Sequence, residues 1–498
     1  MPTNPGFYPF LSKYHTAVCL GSGDPTKVDP KHSIKWDGLQ CSCADAPELG
    51  VSALGWVCGE AFALGKCANN FHNALCNRHL AKQPAVTSKF EVDYSEWLNA
   101  CPGYYAAEFE QLGTPEGFEQ WISKYPTARR AAILSSMERD SLVPERVKPF
   151  IKREVIAKIP TKARAIQAYY NDATMAMYAR QFACMQRSLV KCLRDNDLSL
   201  WSKGKRVPVR ARIACGLTHR DLGEWMSEVM SNPGYKIFYE RDGKSWDATM
   251  QREHFDQAYK FYERMDPVLQ EFAKQCENTK GKYRDRLGRV VTYSACGTRK
   301  SGHNDTSSGN SCINISICVE AVAKWLSGSG NNYDADSVDI IAMGDDLLAI
   351  IHVANNPANV DRNCLDTISQ ELAAAESALG ITPEARCFDH PLDVSFISGV
   401  FYPLVGGGFG FGPLVGRLLK KLFYSTRQRA PRTEAAWRSS VAEAFLLFFG
   451  SCPIMRVFLR RSISTDRRVD VDKYVARLLS EAPNVDWSTY FWQRYGIG

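Results

Sequence analysis

Val338-Asp339-Ile340-Ile341-Ala342-Met343-Gly344-Asp345-Asp346-Leu347-Leu348-Ala349-Ile350-Ile351-His352 is the stretch on which the reading of this chain turns. Two short apolar runs, Val338–Met343 and Leu347–His352, read as strands, and Gly344-Asp345-Asp346 between them reads as a hairpin turn. Neighbouring carboxylates on such a tip repel each other unless cations or solvent compensate. Hard oxygen donors of this kind suit Mg2+ or Mn2+. Alone the triplet says little: at ordinary residue usage Gly-Asp-Asp arises by chance in roughly one chain in ten of this length, and an exposed turn would account for it.

Two elements upstream add to it. In FYERDGKSWDATM, the run Tyr235 to Glu240 reads as a strand that stops at Asp242-Gly243, which places the Asp242 carboxylate at a strand's C-terminal end. Five residues on, past the bend that Gly243 allows, Asp247 can face the same cleft; a helix N-cap is the plain alternative for either residue. In SGHNDTSSGN, Ser301 and Gly302 precede Thr306 and Asn310, which lie one turn apart on a helix from about Thr306 to Trp325. Gly302 lets the backbone approach a ligand closely, and an Asn on that face can both donate to and accept from a sugar hydroxyl. Capping and the polar face of a helix would use the same residues.

In this order the three elements resemble the palm of RNA-dependent RNA polymerases of positive-strand RNA viruses. That family carries Asp-x4-Asp, then Ser-Gly-x3-Thr-x3-Asn, then Gly-Asp-Asp on a hairpin. Here the steps from Asp242 to Ser301 to Asp345 are 59 and 44 residues. The family's basic fingers motif, Lys-x-Glu followed by Lys-x-Arg, is matched by Lys152, Glu154, Lys162 and Arg164, with Lys158 between. ITPEARCFDHP looks like the fourth motif and VSFISGVFYP like the fifth, a hairpin that holds the primer end. Where the family often has a proton-donating Lys, Arg386 stands; a guanidinium with a pKa of about 12.5 or more is a poor acid but a good charge stabiliser, and His390 is a weaker substitute. The wording KPFIKRE and SGHNDTSSGN looks nearest to nodavirus-like or tombusvirus-like polymerases.

The resemblance spans about Lys148 to Pro403 and implies an α+β right-hand polymerase. Residues 1–234 would form an N-terminal extension and fingers, and 404–498 a mostly helical thumb. Residues 235–403 would be the palm, an antiparallel sheet with helices, with a fingers-proximal segment near 251–300. It implies template-directed transfer of ribonucleotides to an RNA 3′-hydroxyl, with two Mg2+ or Mn2+ ions on Asp242, Asp345 and Asp346. Lys152, Lys158, Lys162 and Arg164 would clamp a triphosphate that brings about four negative charges. Asp247 and Asn310, supported by Ser301, Gly302 and Thr306, would read the ribose 2′-OH, and Arg386 would lie on the pyrophosphate side. The implied partners are an RNA template and product duplex, ribonucleoside triphosphates and other viral replication proteins, in a replication complex in the host cytoplasm.

Composition agrees with a globular enzyme: 498 residues, 45% hydrophobic and 23% charged. No apolar run approaches the ~18–20 residues that cross a bilayer, and MPTNPGFYPFLSK lacks the features of a signal peptide. The net charge of +7 hides an asymmetry: Lys124–Arg212 holds 20 Lys and Arg against 7 Asp and Glu, and Arg417–Arg468 holds 12 against 3. Basic blocks around an acidic centre suit a polyanion held beside metal-binding carboxylates, the C-terminal block tracking the duplex. The 17 cysteines are scattered and odd in number, which reads as reduced thiols. His72, Cys76 and His79 would share a helix face near Cys19, Cys41, Cys43, Cys58 and Cys67, but without a C-x2-C pair the segment reads as a packed helix rather than a zinc site.

Two rival readings are weaker. Reverse transcriptases favour an aromatic residue two places before the paired Asp and a bulky gate against the 2′-OH. A non-catalytic RNA-binding protein leaves the ordered motifs unexplained.

Overall fold

In a computed structural model of the chain, the apolar runs flanking Gly344-Asp345 pair as an antiparallel hairpin, Ala335–Met343 with Asp346–Val353. The structure describes residues 7–8, 14–36, 38, 49–53, 57–58, 60–328, 333–354, 360–426, 431–463 and 483–495. The hairpin forms the centre of a six-stranded mixed sheet. Tyr235–Gly243 lies antiparallel to Asp346–Val353, and Pro383–Phe388 closes that edge. On the other side Lys205–Ile213 runs parallel to Ala335–Met343, with Leu198–Ser202 outermost.

The hairpin runs are continuously apolar rather than alternating because both faces of the sheet are covered. Ile340, Ala342, Leu347, Ala349 and Ile351 belong to a core shared with the helices Thr306–Ser327 and Arg362–Ala378. Ile341, Leu348 and Ile350 instead join Leu222, Trp225 and Met226 of the helix His219–Ser231, together with Phe401 and Phe411. Each such side chain contributes about 1.5–3 kcal/mol on burial, so the sheet ends that carry the acidic residues rest on a stiff base.

A second sheet has five strands in the order Ser33–Trp36, Val290–Ala295, Thr279–Arg284, Arg146–Ile151, Ala165–Tyr169. One face packs through Val147, Tyr283 and Tyr293 on Phe71 of the helix Ala68–Ala74. A third core joins the helices Pro431–Phe449, Pro453–Ser462 and Trp487–Tyr495 with Val400 and Tyr402. The chain is a mixed α+β fold with antiparallel and mixed sheets, and no helix among the described residues is long and apolar enough to cross a membrane.

Along the sequence, about Glu108 to Met137 reads as helical, Pro149 reads as a break in the basic stretch Lys148–Tyr170, and Gly406–Gly408 reads as a boundary; the structure resolves each as follows. The helical pattern from Glu108 to Met137 is three helices, Ser95–Leu112, Pro115–Ser123 and Thr127–Arg139, because Pro115 and Pro126 each start a new one. Pro149 does not break its strand. It sits opposite Gln167, beyond the point where Arg146 and Val147 pair with Lys280 and Gly281, so its missing N–H leaves no bond unmade on that edge. Gly406–Gly408, expected at a boundary, is the turn between Gly399–Pro403 and Phe409–Pro413; all three residues have φ between 80° and 98°, a conformation glycine takes freely.

Candidate active site

Asp242, the last residue but one of its strand, lies directly opposite Asp346, the first residue of the returning hairpin strand. Directly opposed side chains on an antiparallel pair have Cβ atoms about 4.5–5.5 Å apart. Asp345 is the second residue of the two-residue turn, and only Gly344 of the two has a positive φ (66°), as in a turn of type II′. On the other side Glu384 lies opposite Asp242. All four carboxylates line one open pocket of about 780 Å³. Burial first, and then Asp345 and Asp242, push the Asp346 carboxyl up to about 7. Burial, Asp345 and Glu384 raise that of Asp242, against the pull of Arg241 and Arg78.

The tip is pinned from behind. Ser311 Oγ accepts from the Gly344 N–H at 2.8 Å, and Asn314 Nδ2 donates to the Gly344 carbonyl at 2.9 Å. Both residues stand on the helix that carries Thr306 and Asn310, which couples the second and third sequence elements mechanically. Arg241, fully buried next to Asp242, pairs with the equally buried Glu376, Nε to Oε2 at 3.0 Å, while its ring neighbour Trp246 lies 5.3 Å away. Tyr239 donates to the same Glu376 at 2.9 Å.

The bend between Asp242 and Asp247 has a steric cause. The Trp246 ring lies where a side chain on Gly243 would point, and Ser245 takes a left-handed φ of 56° before the short helix Trp246–Thr249. Asp247 thereby meets Asn310, whose Nδ2 donates to it at 3.0 Å; the buried Asn310 Oδ1 has no partner. Burial raises the Asp247 carboxyl, with Asp345 adding to it and the Asn310 bond opposing.

Ser301, Gly302 and Thr306, expected to support Asp247 and Asn310, hold the loop that leads into the Asn310 helix. Ser301 Oγ accepts from the Gln167 N–H at 3.1 Å, Gly302 bridges Ala168, and Thr306 Oγ1 donates to the Lys300 carbonyl at 2.7 Å. Their groups shape the loop, because a chain that must run flush against the Ala165–Tyr169 strand spends its polar atoms on that docking. Deeper anchors are Lys300 Nζ, which donates to the carbonyls of Pro144 and Asn278 at 2.8 and 3.0 Å, and the buried Asp305, held by Arg299, His303 and Tyr262.

The expected basic group divides. Lys158, Lys162 and Arg164 line the acidic pocket, whereas Lys152 lies outside its lining and pairs with Glu154 at 3.3 Å. Arg164 also bonds Glu154, at 3.1 Å. Burial and the neighbouring Lys244, Arg78 and Lys27 lower the Lys162 amine. Arg78, which sequence reading did not single out, lines the pocket as well; burial and Arg164 lower its pKa while Asp247, Asp345 and Asp242 oppose this. Lys244 and Arg417 complete the cationic side. Arg78 sits in a stretch whose Cys, His and apolar residues read as core; the signal, one long cation among them, was present but undirected. Arg386 is exposed opposite Glu240 and, like His390, is absent from the pocket lining, whose place on that strand Glu384 takes.

His72 Nε2 lies 3.5 Å from Cys76 Sγ, and His79 is buried with Nε2 unpartnered. Cys41 and Cys43 fall outside the described residues, as does the Cys58 side chain. In the C-terminal basic block Arg438 is buried and donates to the Ser462 carbonyl at 3.1 Å, so it supports the fold rather than a bound polyanion. Arg427, Arg429, Arg467 and Arg468 also fall outside the described residues.

The donor types suit divalent cations, since Asp242 and Asp346, with carboxyls raised by burial and by neighbouring carboxylates, offer hard oxygens beside Asp345, although among the described residues no three acidic, His or Cys side chains are already drawn together as a metal site. Across from them stand cations suited to phosphate. A comparison of the chain with protein-family models finds no match, and a comparison with curated proteins finds none either.

Proposed function

We propose that the chain is an RNA-directed RNA polymerase of the positive-strand viral type, a nucleotidyltransferase that extends an RNA 3′-hydroxyl against an RNA template. The observation that carries the proposal is the meeting of Asp242, Asp345 and Asp346 at one end of the sheet, facing Arg78, Lys158, Lys162 and Arg164 across a single pocket. In this reading residues 235–403, which supply four of the six strands of the central sheet, are a palm, residues 1–234, which supply the other two, an N-terminal extension and fingers, and 404–498 a thumb.

Asp242, Asp345 and Asp346 would hold two Mg2+ or Mn2+ ions, which supply Lewis-acid stabilisation of the attacking and leaving oxygens. The remaining work falls to the chain. Lys158, Lys162, Arg164 and Arg78 fix the triphosphate by charge and position. Asn310, with Nδ2 committed to Asp247, has a buried Oδ1 without a partner; neither residue lines the pocket, and this atom would accept from a ribose 2′-OH only where nucleotide binding opens a way to it. A deoxynucleotide would leave that oxygen unpaired, and this supports selection for ribonucleotides. Such an enzyme would work in a replication complex in a host cytoplasm with other viral replication proteins.

The test is incorporation on purified chain: a homopolymeric RNA template with its complementary ribonucleotide, with and without primer, in Mg2+ and in Mn2+. Wild-type synthesis that Asp345→Ala abolishes, with the melting profile preserved, is the expected result. Absence of synthesis under every condition, or retention by Asp345→Ala, refutes the proposal. Preference for deoxyribonucleotides would favour a reverse transcriptase.

A further inference from the structure

The basic block Lys124–Arg212 is only partly used by the acidic pocket. Two of its other members, Arg146 and Lys148, lie on the second sheet, where they join cations from outside the block. In Arg146–Ile151 residues alternate strictly between exposed and buried, and in Thr279–Arg284 they do so again. The buried set packs on the helix Ala68–Ala74; the exposed set is Arg146, Lys148 and Phe150 on one strand, Lys280, Lys282 and Arg284 on the next. The two strands are parallel with Lys280 in register with Arg146, so the cations stand in rows across the sheet. Lys35, on the edge strand in register with Thr292 and hence with Lys282, continues one row.

This face forms a concavity of about 930 Å³, with Asp140 the one acidic residue in its lining. No acidic side chain among the described residues comes within ion-pair distance of these six cations. Two aromatic rings stand among them: Phe150 is 48% exposed, and Tyr170 is 44% exposed with the Arg146 guanidinium 4.1 Å from its centroid. Cations recurring every second residue, about 6.7 Å apart along a strand, beside exposed aromatic rings on a sheet are what an unpaired nucleic-acid strand needs. Phosphates meet the cations, and bases stack on the rings. A duplex keeps its base faces covered and could use only the charges.

We infer that the outward face of the five-stranded sheet is a single-stranded RNA platform, separate from the acidic pocket. Lys148, Lys280, Lys282 and Arg284 contact phosphates, and Phe150 and Tyr170 receive bases. That the polyanion is RNA rests on the function proposed above. The geometry links the two places: the strand Arg146–Ile151 leads directly into the segment that carries Lys158, Lys162 and Arg164 over the acidic pocket.

The test is fluorescence anisotropy of a 5′-labelled, unstructured 20-nucleotide RNA on the full chain in EDTA, across a salt series. Each phosphate contact to a single strand contributes about −0.7 to the slope of log affinity against log salt. The quadruple variant K148Q/K280Q/K282Q/R284Q should therefore flatten that slope by about 3. A charge-matched control, K205Q/R252Q/K260Q/R264Q, should leave it at the wild-type value. Phe150→Ala should weaken binding by roughly five- to a hundredfold, and blunt duplex RNA should compete at least tenfold less well than unlabelled single strand. A wild-type slope in the quadruple variant, an equal change in the control, equal competition by duplex, or no binding by the wild type overturns the inference. Melting curves check that these exposed substitutions leave the fold intact. RNA synthesis is measured on the same preparations. Synthesis without the predicted anisotropy changes overturns the platform alone; the predicted changes without synthesis overturn the polymerase reading alone.

Discussion

Replacing Asp346 by Asn should make the metal-free protein more stable, and by an amount that depends on pH. Asp346 faces Asp242 across the ladder and adjoins Asp345, and its carboxyl is pushed up to about 7 from the ordinary 3.8. A carboxyl whose pKa is raised in the folded state binds its proton more tightly there than in the unfolded chain. The penalty for ionising it is therefore absent below about pH 4, grows as pH rises to about 7, and is complete above that. At about 1.36 kcal/mol for each pKa unit, a shift of about three units amounts to roughly 4 kcal/mol. Solvent reaching this half-open pocket halves that to about 2 kcal/mol. The assay is urea unfolding of wild type and Asp346→Asn in EDTA at pH 4 and pH 8. The variant should gain about 2 kcal/mol over wild type at pH 8 and almost nothing at pH 4. Excess Mg2+ at pH 8 should then stabilise the wild type more than the variant, since a ligand that binds only the folded state adds to stability by mass action. An equal gain at both pH values, or a loss at pH 8, would show that these carboxylates do not crowd one another and would refute the electrostatic picture of the site.

The other expectations are these. Glu376→Ala leaves the Arg241 charge fully buried and unpaired, which should lower urea-unfolding stability by about 3–5 kcal/mol; Arg241→Met added to it should restore part of the loss. Asn310→Ala should narrow the ratio of ribonucleotide to deoxyribonucleotide incorporation in single-turnover assays, and an unchanged ratio would remove Asn310 from the sugar site. Ser311→Ala removes the bond that pins Gly344; it should cost about 1 kcal/mol in stability and lower the rate of incorporation more than the affinity for nucleotide. In Gly302→Ala the new Cβ would lie 2.8 Å from the Gln167 carbonyl oxygen and 3.0 Å from the Ala168 Cα. Those are backbone atoms that must shift, so the melting temperature should fall by several degrees, equivalent to about 1–3 kcal/mol.

What could be read from the sequence were the features that local rules determine. The two apolar runs around Gly344 announced a hairpin because Gly-Asp-Asp between two strand-like runs is a turn signal. The helix from Thr306 was legible from spacing, and Gly380 closes the helix before it with a left-handed φ of 86°. What could not be read depends on contacts between distant segments. Ser301 and Thr306 look like ligand groups in one dimension, yet their hydroxyls are taken up by Gln167 and Lys300. Lys152 and Lys162 look equivalent in the motif, but Glu154 draws one of them aside. Arg78 reaches the pocket from a helix end more than 160 positions before Asp242, and no periodicity in either segment encodes that meeting. The basic face of the second sheet appears only once Arg146 and Lys280, 134 residues apart, are placed in register.

The pocket holds opposite charges of which, among the described residues, Lys244 and Glu384 pair at 3.2 Å, while the three aspartates are kept from the cations. Among the described residues, none of Asp242, Asp345 and Asp346 has an ion-pair partner within 4 Å, although Arg78, Lys158, Lys162, Arg164 and Arg417 line the same space. In a flexible site these side chains would close on one another, because attraction across a few ångströms at a protein surface reaches several kcal/mol. They are prevented from doing so by rigidity. The acidic tip is bonded through Ser311 and Asn314 to a helix buried along most of its length, and Arg241 behind it is already committed to Glu376. The cations are mounted on other elements, Arg78 on a helix end and Lys158 to Arg164 on the segment between two strands of the second sheet. A substrate that satisfies both walls must bring negative charge to one and positive charge to the other. A triphosphate accompanied by divalent cations does both, whereas a simple anion or a simple cation would leave one wall unpaired. That two-sided demand, more than the Gly-Asp-Asp triplet itself, is the physical argument behind the proposal that nucleotidyl transfer takes place in this pocket.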